Sequence, residues 1–118
     1  MIKNFKDLKV YQVSYELALK IHRMTMEFPK YETYEIGSQI RRAGLSIPLN
    51  IAEGYGKKSS VKDFKRFLNI ALGSCNETMV LLDFVKDLNY IDKGSYEDFY
   101  KDYQILAKRI FTLMEKWS

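Results

Sequence analysis

Apolar residues recur every three or four positions along almost the whole 118-residue chain, with only three short interruptions. That spacing is the period of one face of an α-helix, whereas a half-buried strand alternates with a period of two. No stretch of the chain alternates in that way. The pattern therefore restricts the fold to packed helices.

The first helix is expected from about Asp7 to Phe28, where Pro29 marks the exit. Its polar residues form a narrow stripe, Lys9, Gln12, Glu16, Lys20, Arg23 and Glu27, with Leu8, Tyr11, Tyr15, Leu17, Ala18, Ile21, Met24 and Phe28 over most of the remaining surface. The second runs from about Thr33 to Tyr55, with Ile36, Ile40, Ala43, Ile47, Ile51 and Tyr55 at helical spacing. Pro48 falls inside that pattern. It removes the backbone bond to the carbonyl of Gly44 and should bend the helix, or break it in two.

Gly54-Tyr-Gly-Lys-Lys-Ser-Ser60 reads as a turn, with Ser60 as the N-cap of a third helix and Asp63 placed as in a capping box. The third helix extends to about Asn89 and is again widely apolar, with Phe64, Phe67, Leu68, Ile70, Ala71, Cys75, Met79, Leu82, Phe84 and Leu88. Asp92-Lys-Gly-Ser95 is the last turn. Ser95 with Asp98 repeats the capping pattern before a fourth helix marked by Tyr96, Phe99, Tyr103, Leu106, Ile110, Leu113 and Trp117.

Four helices joined by short turns give an all-α, up-down-up-down four-helix bundle, a single domain over residues 1–118. A helix that is apolar around most of its girth is buried on more than one side. The wide faces of the first and third helices therefore point to self-association.

Few residue types are available for chemistry. His22 and Cys75 are the only histidine and cysteine, so neither a zinc cluster nor a disulfide can form within the chain. Cys75 falls at a core position, and His22 borders the polar stripe of the first helix. Gly54-Tyr-Gly-Lys-Lys-Ser lacks the strand and the earlier glycine of a phosphate loop. No Glu is followed by His at dimetal spacing. No catalytic residue, metal or cofactor is expected. Nine tyrosines and seven phenylalanines fall mostly at core spacing, which favours packing over base stacking. The first residues are too charged for a signal peptide, and no apolar run approaches the roughly 20 residues needed to span a bilayer. With a single cysteine, this places the chain in the cytoplasm, away from membranes.

Two polar constellations remain. Gln39, Arg42, Ser46, Asn50 and Glu53 form a ridge along the second helix, and the third carries Ser74 and Glu77 within or beside its apolar side. Either this is a solvated face or it is an ordered network, between helices or between subunits, with Arg42 and Glu77 as its charged pair. The second constellation is basic. The net charge is +4 and the isoelectric point about 9.1. Lys57, Lys58, Lys62, Lys65 and Arg66 crowd one stretch, and Lys3, Lys6 and Lys9 open the chain. Bundle topology brings these to one end, together with Lys116. A solubility role and a polyanion-binding role are both open for that end.

Phe5-Lys-Asp-Leu-Lys-Val-Tyr-Gln12, Gln39-Ile-Arg-Arg-Ala43, Ser46-Ile-Pro-Leu-Asn-Ile-Ala-Glu-Gly54 and Phe67-Leu-Asn-Ile-Ala-Leu-Gly-Ser74 with Glu77 resemble, in order and spacing, one family. It is the four-helix-bundle proteins encoded in intervening sequences of bacterial large-subunit ribosomal RNA genes. The resemblance implies a ring-like homo-oligomer, a pentamer around a central channel, without enzymatic activity. It also implies kinship with accessory proteins of diversity-generating retroelements, which bind a reverse transcriptase and nucleic acid. Gly44, Leu45 and Leu49 depart mildly from the family pattern. The expected function is non-catalytic nucleic-acid binding, RNA more than DNA, through phosphate contacts at the basic end. The alternative is a scaffold whose protein partner, such as a nucleic-acid-processing protein, docks on the ring.

Overall fold

The computed structural model describes all residues, 1–118, and contains four α-helices and no strand. The helices are α1 (Lys9–Thr25), α2 (Ile36–Gly56), α3 (Val61–Asp87) and α4 (Lys93–Lys116), with short 3-10 turns at Phe5–Asp7 and Lys30–Glu32. They form an elongated body of 45 × 23 × 21 Å. Each helix packs on its neighbours in chain order, most extensively α2 on α3, while α1 and α4 touch least. The bundle is thus tightly closed along one seam and open along the opposite one.

The core follows the helical stripes. Ile21, Ile40, Ile47, Ile51, Phe64, Leu68, Leu82, Tyr103, Leu106 and Ile110 are fully buried. Burial of each such side chain contributes roughly 1.5–3 kcal/mol, which is what holds helices of ordinary propensity together. Cys75 is fully buried, and desolvation pushes its thiol up to about 12, so it is packed and unreactive. The Tyr103 hydroxyl is buried without a partner, and burial raises its pKa.

Several helix ends differ from expectation. α1 begins at Lys9 because Asp7 closes a separate capping box with Asn4, accepting from the Lys3 and Asn4 N–H groups at 2.7 and 3.2 Å. Those N–H groups, Lys3 first, hold the Asp7 carboxyl below its ordinary range. α1 stops at Thr25, and residues 26–28 tighten into bonds of 3-10 type ahead of Pro29. α2 starts at Ile36, not Thr33. α4 is capped by Asp92, not Ser95: its carboxylate accepts from the Ser95 N–H at 2.7 Å and the Ser95 hydroxyl at 3.0 Å, starting the helix almost a turn early. Ser60 caps α3 as expected, accepting from the Asp63 N–H at 3.1 Å.

α2 runs unbroken through Pro48, so the two-helix alternative is not realised. Gly54 lies inside α2 rather than in a turn. A Cβ there would sit 2.7 Å from the Phe67 Cβ and 3.1 Å from the Phe64 ring. Glycine is what lets α2 and α3 cross this closely.

Candidate nucleic-acid interface

The contacts that bring the basic residues together are aromatic. Trp117 at the end of α4 packs edge-on against Phe64 at 4.7 Å and Tyr55 at 6.5 Å, joining the C-terminus to the α2–α3 turn. The Phe5–Asp7 turn packs on α1 and α2, with Phe5 4.9 Å from Tyr11. The chain start, the α2–α3 turn and the end of α4 thus share one end of the bundle.

At that end Lys3, Lys6, Lys9, Lys57, Lys58, Lys62 and Arg66 are exposed and Lys65 is half-buried. Only Arg66 has a carboxylate within reach, Asp63 at 3.9 Å, and that pair is itself solvated. Lys58 lies over the Tyr55 ring at 4.2 Å, and Arg66 over the Phe67 ring at 4.5 Å. These contacts direct the cations without neutralising them. The remaining lysines of the end make no ion pair.

Sequence reasoning missed an extension of this patch. The open seam between α1 and α4 holds a groove of about 500 Å³, lined by Lys9, Lys108, Arg109 and Lys116 around an aliphatic floor that includes Leu8, Val10 and Leu113. No carboxylate and no aromatic ring lines it. The adjacent cationic pair Lys108-Arg109 on α4 was the available signal, but which seam stays open is a property of the packing.

The polar ridge divides into two parts. Ser46 and Ser74 share a hydrogen bond of 2.8 Å across the α2–α3 seam. Asn50 donates to the Ser46 carbonyl at 2.7 Å and its hydroxyl at 3.0 Å, and Thr78 donates to the Ser74 carbonyl at 2.8 Å. That part is an ordered network between helices. Gln39, Arg42, Glu53 and Glu77 are exposed, and Arg42 and Glu77 do not pair within the chain. Both groups are exposed, so within the chain this part of the ridge is the solvated face and the charged pair expected between helices is not formed. The arginine that does build the fold is Arg41, whose guanidinium donates to the Thr25 hydroxyl at 2.9 Å and the Thr33 carbonyl at 2.8 Å.

Apolar side chains also stand on the outside of α2 and α3. α3 exposes Ile70, Val80, Phe84 and Leu88, and α2 exposes Leu45 and Leu49. No helix is long and apolar enough to cross a membrane.

Comparison with known proteins agrees with the fold. A crystal structure of a protein of unknown function from the S23 ribosomal protein family of Bacteroides thetaiotaomicron superposes with a TM-score of 0.78 at 30% identity, covering 91% of this chain and 96% of that one. No protein of curated function matches. The family described as 23S rRNA-intervening sequence protein matches residues 6–112. The chain therefore belongs to the 23S rRNA-intervening sequence protein family.

Proposed function

We propose that this protein is a non-catalytic, cytoplasmic, homopentameric nucleic-acid-binding protein that prefers RNA and contacts phosphates through its basic end. The observation that carries this reading is the convergence of Lys3, Lys6, Lys9, Lys57, Lys58 and Lys62 without carboxylate partners. Free lysines release counterions on meeting phosphates, and contact with backbone alone carries little sequence information. A ring would repeat the patch around one rim, so that weak contacts add by avidity. A bend of α2 at Pro48, where proline cannot donate the helical bond to the Gly44 carbonyl, belongs to the same reading.

Changing Lys57, Lys58 and Lys62 to glutamate should abolish binding of mixed-sequence RNA and leave assembly intact. The same change at Lys30, Lys93 and Lys101, which lie outside the basic end, should matter much less. Equal binding by both triple variants would refute the reading. Light scattering should give about five times the chain mass of 13.9 kDa; a monomer at micromolar concentration would remove the ring.

The α1–α4 groove favours a second reading, a scaffold for a protein partner. Its floor is aliphatic and offers no ring on which a base could stack. A stoichiometric protein recovered with the native chain, without RNA, would move this reading to first place.

A further inference from the structure

Gly56 and Gly73 both have open space where a Cβ would stand, but Gly56 ends α2 and only Gly73 lies in a helix interior. Gly73 lies within α3, where glycine is unfavourable relative to alanine, yet a Cβ there would meet nothing within 4 Å. Its neighbours on the same exposed stripe are Ile70, Glu77, Val80 and Phe84, at helical spacing. This is a flat place in an apolar strip, with one unpaired carboxylate beside it.

The adjoining side of the bundle carries complementary features. Between α1 and α2 lies a cavity of about 490 Å³, lined by Tyr15, Leu19, Leu45 and Pro48 with His22 and Arg42 at its margin. No carboxylate lines it. Leu45 and Leu49 stand out beside it, 52% and 64% exposed.

The heights match as well. Ser46 of α2 touches Ser74 of α3, and the two helices run antiparallel. Stepping four residues back along α2 and four forward along α3 brings Arg42 level with Thr78, beside Glu77. By the same register Gly73 is level with Ile47, between Leu45 and Leu49, and Val80 is level with Ile40, within the span of the cavity. Rotation about an axis parallel to the bundle leaves every height unchanged. Successive copies in such a ring would therefore meet with these residues already in register.

We infer that the α3 stripe of one copy docks on the α1–α2 side of the next, with Leu45 and Leu49 over Gly73, Val80 at the cavity and Glu77 facing Arg42. The occupant of the cavity is a second copy of this chain. The two contributing surfaces are not the same patch, so the contact is head-to-tail rather than two-fold, and it closes into a ring where the rotation from copy to copy completes a full turn. The inference rests on the self-association part of the proposed function and assigns its interface.

Light scattering on charge-swapped variants tests it. Arg42→Glu and Glu77→Arg should each lower the assembled mass, and the double variant should restore it. Gly73→Gln supplies a variant that should fold at least as well as the wild type, because glutamine favours helix and meets open space; it should nevertheless weaken assembly. Oxidation of an Arg42→Cys, Glu77→Cys double variant should give a covalent ladder extending beyond the dimer, since the native Cys75 is buried. A wild-type monomer would refute self-association itself. A wild-type oligomer unmoved by all three single changes, a double swap that fails to restore mass, or a ladder that stops at the dimer would refute this interface and leave self-association standing.

Discussion

The two ends of the bundle handle charge in opposite ways. At the end formed by the α1–α2 connection and the α3–α4 turn, polar groups are bonded to one another. Tyr90 donates to Glu32 at 2.6 Å, Tyr96 donates to Asp83 at 2.5 Å, Arg41 bridges Thr25 and Thr33, and Asp92 caps α4. At the other end, aromatic packing of Tyr55, Phe64 and Trp117 supplies the cohesion, and the lysines above it bond to no carboxylate. Charges already engaged in the fold hold the fold. Charges left free are available to a partner, and removing them should cost little stability.

The sharpest structural break is expected at Gly54, under the lysine platform. Gly54→Ala should destabilise the protein by about 1–3 kcal/mol on urea unfolding, because Phe67 and Phe64 must move to admit the methyl group. Gly44→Ala serves as the internal control. Its Cβ would meet nothing closer than 3.6 Å, so the helix gains about 0.4–1 kcal/mol from the loss of glycine.

At the bonded end, Arg41→Ala should cost about 1–2 kcal/mol, the lower part of the range for stranded hydrogen-bonding groups, since the site is half-buried. Arg41→Lys should not rescue it, because one ammonium cannot reach both acceptors as the guanidinium fork does. Unchanged stability in Arg41→Ala would erase the contrast between the ends.

Tyr96 gives a smaller, pH-dependent effect. Its hydrogen bond to Asp83 pushes the hydroxyl up to about 12. A folded-state pKa above the unfolded value means that the contribution is whole below about pH 10 and is lost as pH rises towards about 12. Tyr96→Phe should therefore lower Tm at pH 8, and the gap from wild type should close over that window. A gap that persists beyond it would separate the hydrogen bond from the effect.

The smallest effect is expected from the free charges. Lys57→Glu, Lys58→Glu and, below the concentration at which copies assemble, Glu77→Ala should each change folding stability by no more than about 0.5 kcal/mol. A larger loss would mean that these groups serve the fold after all.

Four helices and most of the core were legible in the sequence, because each helix must bury a stripe and the stripes recur at helical spacing. The Ser60 cap was legible for a similar local reason. Which of two adjacent arginines turns inward was not: Arg41 and Arg42 are one residue apart, and only the position of α1 decides between them. Gly54 read as a turn former because Gly-x-Gly resembles one, whereas its role comes from Phe67 on another helix. The gathering of the lysines followed from topology. The open α1–α4 seam that adds Lys108 and Arg109 depends on packing that no local pattern encodes.

The central claim is that the free cations bind phosphate backbone. The most direct test is the salt dependence of wild-type affinity for mixed-sequence single-stranded RNA, followed by fluorescence anisotropy. If about six lysines each neutralise one phosphate, log affinity should fall against log salt with a slope of about −4, and scrambling the RNA sequence should leave affinity nearly unchanged. No binding at low salt, or a flat salt dependence, would contradict the account.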